Sequence, residues 1–440
     1  MKLLIRDSYK RVRNSQLGKD VFYVFIAQVM IMVSVFCINK IIGVFIGVAG
    51  FGLFSLIKRA GGVLCCVQKG GITIALPRYL ARFSKSPFSS LFYKNLLYTS
   101  SMIMGGFTVF TILLYVSFPA TFNRLLFQEY PVERILIWAT FLFSFGQAAS
   151  NLVYSYYQGI GLFKQYNKVQ IISSLICLSF TFVFRQGITD LIIGSYTALS
   201  IFAIIMLIIE LKKLRKVPLH RCLLKKSLFS LLPYGISRMG HELVSLLRDV
   251  LPLSIILYRF NMESVGLYSA ALSVPLAISP LFAFTGGIFL QRISTLYKVR
   301  DIVSIKRLLN SALCLFLVVA LLGTTFLILL RRPLMHLFYS STFDGAIELS
   351  VFFSLSLIPR AIYLLYQNPL DAISAKPYNL IVVTLSTILL LALLSFATTL
   401  NQCAIAYLIS SIITALLTLL FWHLHIKKTD FGKHSQAYEQ

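Results

Sequence analysis

The stretch Leu313–Leu330, LCLFLVVALLGTTFLILL, decides the class of fold, because it carries no charge from end to end. Crossing a ~30 Å hydrocarbon core takes about 20 such residues, so the stretch reads as a membrane span. Working outward, Ile103–Val116, Leu380–Phe396 and Ile405–Trp422 have the same character. Hydrophobic residues make up 58% of the 440-residue chain and charged residues 13%. That charged fraction is about half the ~25% of soluble domains, which excludes a soluble enzyme. Backbone polar groups in lipid must be satisfied within the segment, so the spans are helices. The short alternating strands of a membrane barrel do not appear.

Reading the apolar blocks in order predicts about twelve spans. They cover 21–42, 46–70, 93–118, 132–158, 166–184, 188–210, 228–257, 262–290, 307–330, 346–368, 378–398 and 403–423. The net charge of +26 invites a nucleic-acid partner, and its distribution argues against one. With the N-terminus placed in the cytoplasm, 29 of the 41 Lys and Arg residues fall on that side and only 7 outside. The inner set begins with Lys2, Arg6, Lys10, Arg11, Arg13 and Lys19 and ends with Lys376, Lys427, Lys428 and Lys433. This asymmetry is the positive-inside rule and predicts both termini in the cytoplasm. The basic charge is then topological, drawn to the anionic lipids of the inner leaflet.

Residues 1–19 read as a basic cytoplasmic segment, too polar for a signal-peptide leader. Residues 20–210 read as an N-lobe of six spans, 211–227 as a basic linker, 228–423 as a C-lobe of six and 424–440 as a tail. The outer connections are short, the longest being Phe118–Pro131 and Arg331–Gly345. Of the seven cysteines six fall within spans and Cys222 in the linker, with no disulfide framework. The adjacent Cys65 and Cys66 lack metal-ligand spacing.

The two halves resemble each other. Gly52-Leu53-Phe54-Ser55 recurs as Gly266-Leu267-Tyr268-Ser269, an offset of 214 at which Leu76 also meets Leu290 and Arg78 meets Arg292. At an offset of 209, Tyr154, Tyr157 and Gln158 fall on Tyr363, Tyr366 and Gln367. An even number of spans in each half makes the repeats parallel.

Charges inside a membrane are expensive and need a reason. Span 2 carries Lys58 and Arg59 roughly a dozen residues from its outer end, a depth of about 18–20 Å. Span 7 is the most polar, with Arg238, Glu242, Ser245, Asp249 and Pro252 on one stripe and His241 and Arg248 beside it. Arg238 and Glu242, four residues apart, are placed to neutralise each other. Span 4 aligns Gln147, Asn151, Tyr154 and Gln158, and span 10 aligns Ser356, Arg360, Tyr363 and Gln367. Gln28 of span 1 is a weaker addition. Snorkelling, packing and interhelical hydrogen bonding are the bland accounts of these residues.

The chain resembles the polysaccharide-transporter branch of the multidrug/oligosaccharidyl-lipid/polysaccharide (MOP) exporter superfamily. The likeness rests on Gly50-Phe51-Gly52-Leu53-Phe54-Ser55-Leu56 and Ala75-Leu76-Pro77-Arg78-Tyr79-Leu80-Ala81-Arg82 at the two ends of span 2. Tyr157-Gln158-Gly159 with Lys164, Tyr166 and Asn167, and Val265-Gly266-Leu267-Tyr268-Ser269, complete it. Among its members the chain is most similar to O-antigen (Wzx-type) flippases. The resemblance implies an all-α polytopic fold of about twelve helices, MATE/MOP-like, as two parallel six-helix lobes around a central cavity. It also implies an undecaprenyl-diphosphate-linked oligosaccharide as substrate, moved across a bacterial inner membrane, with the polymerase and chain-length proteins of the same pathway as partners. Lipid II flippases of the superfamily carry two further helices, which lowers the expectation of that cargo.

For an anionic diphosphate, a basic interior is the expected match. The expected intramembrane charges are Lys58, Arg59, Arg238, Arg248 and Arg360 against Glu242 and Asp249, an excess of positives. The expected substrate-binding set is therefore Lys58, Arg59, Arg238, Arg248 and Arg360 with Gln147, Asn151, Tyr154 and Tyr363. Glu242, Asp249 and His241 are the candidates for H+ or Na+ coupling, with no other cofactor and no metal expected. A cation-coupled multidrug exporter would want a carboxylate in span 1 or another N-lobe span, and span 1 offers Gln28 and Asn39. A polymerase or ligase would want a sizeable outer loop, and a scaffold would not need a repeated polar stripe. No catalytic residue is assigned.

Overall fold

Apolar helices separated by glycine and proline turns account for the architecture of the computed structural model. It describes residues 16–82, 89–127, 133–276, 301–373 and 377–437, together with Phe282, Ile293 and Leu296. Most of the basic N-terminal segment, Lys85, Leu290, Arg292, Lys298, Arg300 and Lys376 lie outside the described residues, as do the side chains of Lys427, Lys428 and Lys433. Of the 214-residue offset matches, Gly266–Ser269 are therefore described, whereas Leu290 and Arg292 are not.

The first helices are α1 (Gln16–Phe45), α2 (Gly47–Lys69), α3 (Ile72–Arg82), α4 (Ser89–Ser117) and α5 (Pro119–Phe127). They are followed by α6 (Arg134–Gly159), α7 (Phe163–Val183), α8 (Ile188–Lys213) and α9 (Arg221–Arg259). Residues 262–276 form α10. Then come α11 (Ile302–Leu329), α12 (Arg331–Phe338), α13 (Gly345–Leu355), α14 (Leu357–Ile373), α15 (Tyr378–Phe396) and α16 (Leu400–Ala437). No strand occurs among the described residues.

Nine of these helices are long and apolar enough to cross a membrane, and α13 with α14, bent by 40° at their junction, pass the same test as a pair. The two remaining expected spans are α9, which is too polar to qualify, and α10, which is described only over its first part. The expected loop after span 2 is partly helical, because α3 starts two residues after α2. The expected basic linker is mostly helical too, with only 214–220 outside α8 and α9.

The chain divides into two compact units. Unit 1 comprises Phe54–Leu246 and the chain up to Gly50, and unit 2 comprises Leu247–Gln440 with Phe51–Leu53. The division falls inside α9.

In unit 1, α6 packs along α8, α1 along α7 and α3 against α6. The motif residues explain the last contact. Pro77 inside α3 has no N–H to offer the Thr73 carbonyl, and Ser155 of α6 supplies the missing donor at 3.0 Å. A Cβ on Gly159 would lie 2.8 Å from the Pro77 Cα, so only glycine permits this approach. Gly70 and Gly71 turn α2 into α3 through two successive positive φ angles, 53° and 68°. Cys65, Leu76, Leu80, Leu97, Leu152 and Tyr157 belong to the surrounding buried core.

In unit 2, α15 packs on α16, and α11 and α16 pack on α14. Asp301 caps α11 by accepting from the Ser304 N–H at 3.0 Å. Phe51, Tyr339 and Phe343 form a ring cluster with centroids 4.9–5.7 Å apart. A Cβ on Gly52 would lie 2.4 Å from the Met262 carbonyl oxygen and 2.9 Å from the Gly266 nitrogen. Equivalent glycines of the two repeats thus meet each other.

Candidate functional site

Unit 1 encloses a cavity of about 320 Å³ among α1, α2, α6, α7 and α8. Lys58, Gln147, Asn151 and Tyr154, four of the expected binding residues, line it together. Helical spacing brings them there: positions 147, 151 and 154 share one face of α6. No Asp or Glu is among the lining residues. Tyr154 is held by a 2.6 Å hydrogen bond to Ser173. Ser173 gives its own proton to the Gln170 carbonyl at 3.0 Å, so Tyr154 is the donor. Gln28 reaches this wall indirectly, donating to Gln170 Oε1 at 3.4 Å.

Sequence reasoning missed the α7 and α8 walls. Gln170, Ser173, Cys177 and Thr181 all line the cavity and follow helical spacing, a stripe that is legible in the sequence. Tyr196 and Ser195 of α8 complete it. Arg59, next to Lys58, points elsewhere, as successive helical residues diverge by about 100°. It is not among the lining residues and is engaged by other neighbours.

The expected Arg238–Glu242 neutralisation is replaced by another pair. Glu242 binds the ammonium of Lys69, the last residue of α2, and that lysine is 9% exposed. Arg238 is exposed, with its guanidinium 5.9 Å from the Tyr234 ring centre. A buried lysine needs a carboxylate more than a solvated arginine does, which decides the partner. Glu242 as a coupling group is thereby committed to a salt bridge. His241 and Asp249 are half-buried, and each has interaction partners of its own.

A second acid was missed altogether. Glu210 of α8, 4% exposed, accepts from Tyr157 Oη at 2.6 Å and from Lys213 at 2.5 Å. The tyrosine of the Tyr157-Gln158-Gly159 motif therefore ties α6 to α8.

Unit 2 holds Arg248, Asp249, Arg360 and Tyr363 of the expected set. Arg248 donates to four hydroxyls: Thr414 at 3.0 Å, Ser410 at 3.2 Å, and Ser386 and Ser411 at 3.4 Å. Each hydroxyl spends its own proton on a backbone carbonyl 2.7–3.1 Å away, leaving lone pairs for the guanidinium. Arg360 donates to Tyr407 Oη at 3.4 Å, and the Tyr407 ring lies 5.8 Å from Arg248. Tyr363 is half-buried and engaged by neighbours, so the expected superposition of Tyr154 and Tyr363 holds in sequence but yields no described cavity in unit 2. Span 12 carried a readable signal, since Tyr407, Ser410, Ser411, Thr414 and Thr418 form one helical stripe.

These helices, turns and motif contacts belong to a known architecture. The polysaccharide biosynthesis protein family matches residues 17–290, more than half of the chain, and the chain belongs to that family. No curated protein matches it at a significant level of sequence similarity. Among solved structures, the lipid II flippase MurJ in an inward closed conformation is similar with a TM-score of 0.69 and 18% identity, over 91% of this chain and 86% of that one. An inward-facing multidrug resistance MATE family transporter of the MOP superfamily gives 0.67 and 13%, over 92% and 95%. A MOP superfamily transporter from Pyrococcus furiosus, described as having a binding pocket of reverse polarity, gives 0.59 and 15%, over 94% and 96%. The chain is thus an all-α, multi-pass membrane protein with the MATE/MOP fold.

Proposed function

We propose that the chain is a flippase that carries undecaprenyl-diphosphate-linked oligosaccharide, an O-antigen repeat unit or a similar glycan, from the cytoplasmic to the periplasmic face of the inner membrane. The single observation that carries this reading is the acid-free interior around Lys58. A compartment for cationic drugs needs a carboxylate, whereas one for an anionic, hydroxyl-rich headgroup needs cations, amides and aromatic faces. Family membership and the likeness to a lipid II flippase support the same cargo class. Alternating access moves the headgroup while the lipid tails stay in the bilayer. Polymerase and chain-length proteins of the pathway would take the product. H+ or Na+ coupling through Glu242, Asp249 or His241 belongs to the same proposal.

The test is deletion in the native host, followed by mass and sidedness analysis of undecaprenyl-linked oligosaccharides. Complete single units accumulating on the cytoplasmic face are expected. Unpolymerised units on the outer face would point instead to a polymerase or ligase, and no accumulation at all would point to small-molecule export. Restoring the chain with Lys58→Gln is expected to leave at least about 90% of the accumulation in place, with the protein still in the membrane.

A further inference from the structure

The cavity of unit 1 carries more information than a generic basic lining. Lys58 has three N–H donors and no hydrogen-bond partner among the described residues, with the Phe54 ring centre 5.8 Å from the ammonium. Tyr196 is 4% exposed, and its hydroxyl has no hydrogen-bond partner. The Gln147 amide likewise has none among the described residues. Buried polar groups in native proteins are nearly always satisfied, so the buried Tyr196 hydroxyl, together with the exposed Lys58 ammonium and the half-buried Gln147 amide on the same wall, points to a ligand that carries acceptors. With a cation among the donors and no carboxylate in the lining, that ligand is negatively charged.

Size and wall chemistry narrow the class. A space of about 320 Å³ far exceeds a bare inorganic ion and admits a sugar ring. Aromatic faces supply the apolar part of the wall, with Phe143 and Tyr196 stacked at 4.2 Å. Sugar rings present one C–H face to such surfaces and their hydroxyls to amides such as Gln147 and Asn151.

We propose that this cavity is a binding site for a single sugar residue bearing a negative charge, as a carboxylate or a phosphate ester, with Lys58 holding the charged group. The proposal rests on the flippase reading for its cargo, since such a residue would belong to the carried glycan. It adds that the first unit by itself selects an acidic sugar.

Cys177 lines the same cavity and reports on it without any transport. In a full-length, detergent-solubilised chain with the other six cysteines replaced by alanine, Cys177 should react about tenfold faster with an anionic thiosulfonate reagent than with a cationic one of similar size. Lys58→Gln should bring the two rates together, and Lys58→Arg should keep the preference. Glucuronate or glucose 1-phosphate should protect Cys177 where glucose, acetate and inorganic phosphate do not. Protection by the uronate alone, or by the phosphosugar alone, assigns the charged group. Tyr196→Phe and Gln147→Ala should weaken protection severalfold while leaving the rate preference intact. Equal rates, a preference for the cationic reagent, glucose protecting as well as the acidic sugars, or a thiol unreactive to both reagents would overturn the proposal. A chain that prefers anions here yet leaves the glycolipids of its deletion host unchanged would overturn only the flippase reading.

Discussion

Both units place a cation in a polar interior, and they treat it in opposite ways. In unit 2 the guanidinium of Arg248 is held by four hydroxyl oxygens whose protons are already committed to carbonyls. In unit 1 the ammonium of Lys58 faces a cavity and has no hydrogen-bond partner among the described residues. A cation held by four acceptors supports its surroundings, while one without a hydrogen-bond partner is available to a ligand. Equal charge therefore does not mean equal role among the cations expected to hold substrate.

The largest effect that would test this contrast is on stability. Arg248→Met leaves several oriented acceptors facing an apolar side chain and should cost about 3 kcal/mol. Lys58→Met removes an unsatisfied charge and should cost less than about 1 kcal/mol, or stabilise. Thermal unfolding of the purified proteins in one detergent compares them, and equal losses would erase the distinction.

The Lys69–Glu242 pair sharpens it within unit 1, because here a buried lysine does have its carboxylate. Lys69→Met and Glu242→Leu should each cost about 2 kcal/mol, and the double variant should cost clearly less than their sum. A double-mutant cycle with additive losses would mean that the pair contributes nothing.

The smallest expected effect compares two repeat-related tyrosines. Tyr157 donates to the carboxylate of Glu210, whereas Tyr366 meets the Trp422 ring at 5.5 Å. Tyr157→Phe should cost about 1–2 kcal/mol, a hydrogen bond to a charged acceptor. Tyr366→Phe should stay within about 0.5 kcal/mol. Urea or thermal denaturation that ranks them the other way would show that the repeat, and not the local acceptor, sets the value of the hydroxyl.

Much of the fold was legible because its determinants are local. Runs such as Leu313–Leu330 settle the membrane class, since no other solvent tolerates them. Gly52 and Gly266 marked the repeat in sequence, and the close backbone approach at Gly52 is the physical reason that position is glycine. The α6 stripe placed Gln147, Asn151 and Tyr154 on one face, and they share one wall. The break at Ser356, where an apolar stretch bends by 40° between α13 and α14, was legible too, because Pro359 has no N–H to offer the Leu355 carbonyl.

By itself, then, the sequence determined the solvent of this protein, its helices, its internal repeat and the faces on which polar residues gather. These follow from hydrophobicity and the period of 3.6 residues per turn, which act within one segment. Only the tertiary structure decided which polar groups pair: Glu242 with Lys69 rather than Arg238, Tyr157 with Glu210, Arg248 with hydroxyls from α15 and α16. Lys58 was left facing open space. Pairing of that kind depends on side chains from distant helices arriving within about 3 Å of one another, a distance that no spacing along a single helix encodes.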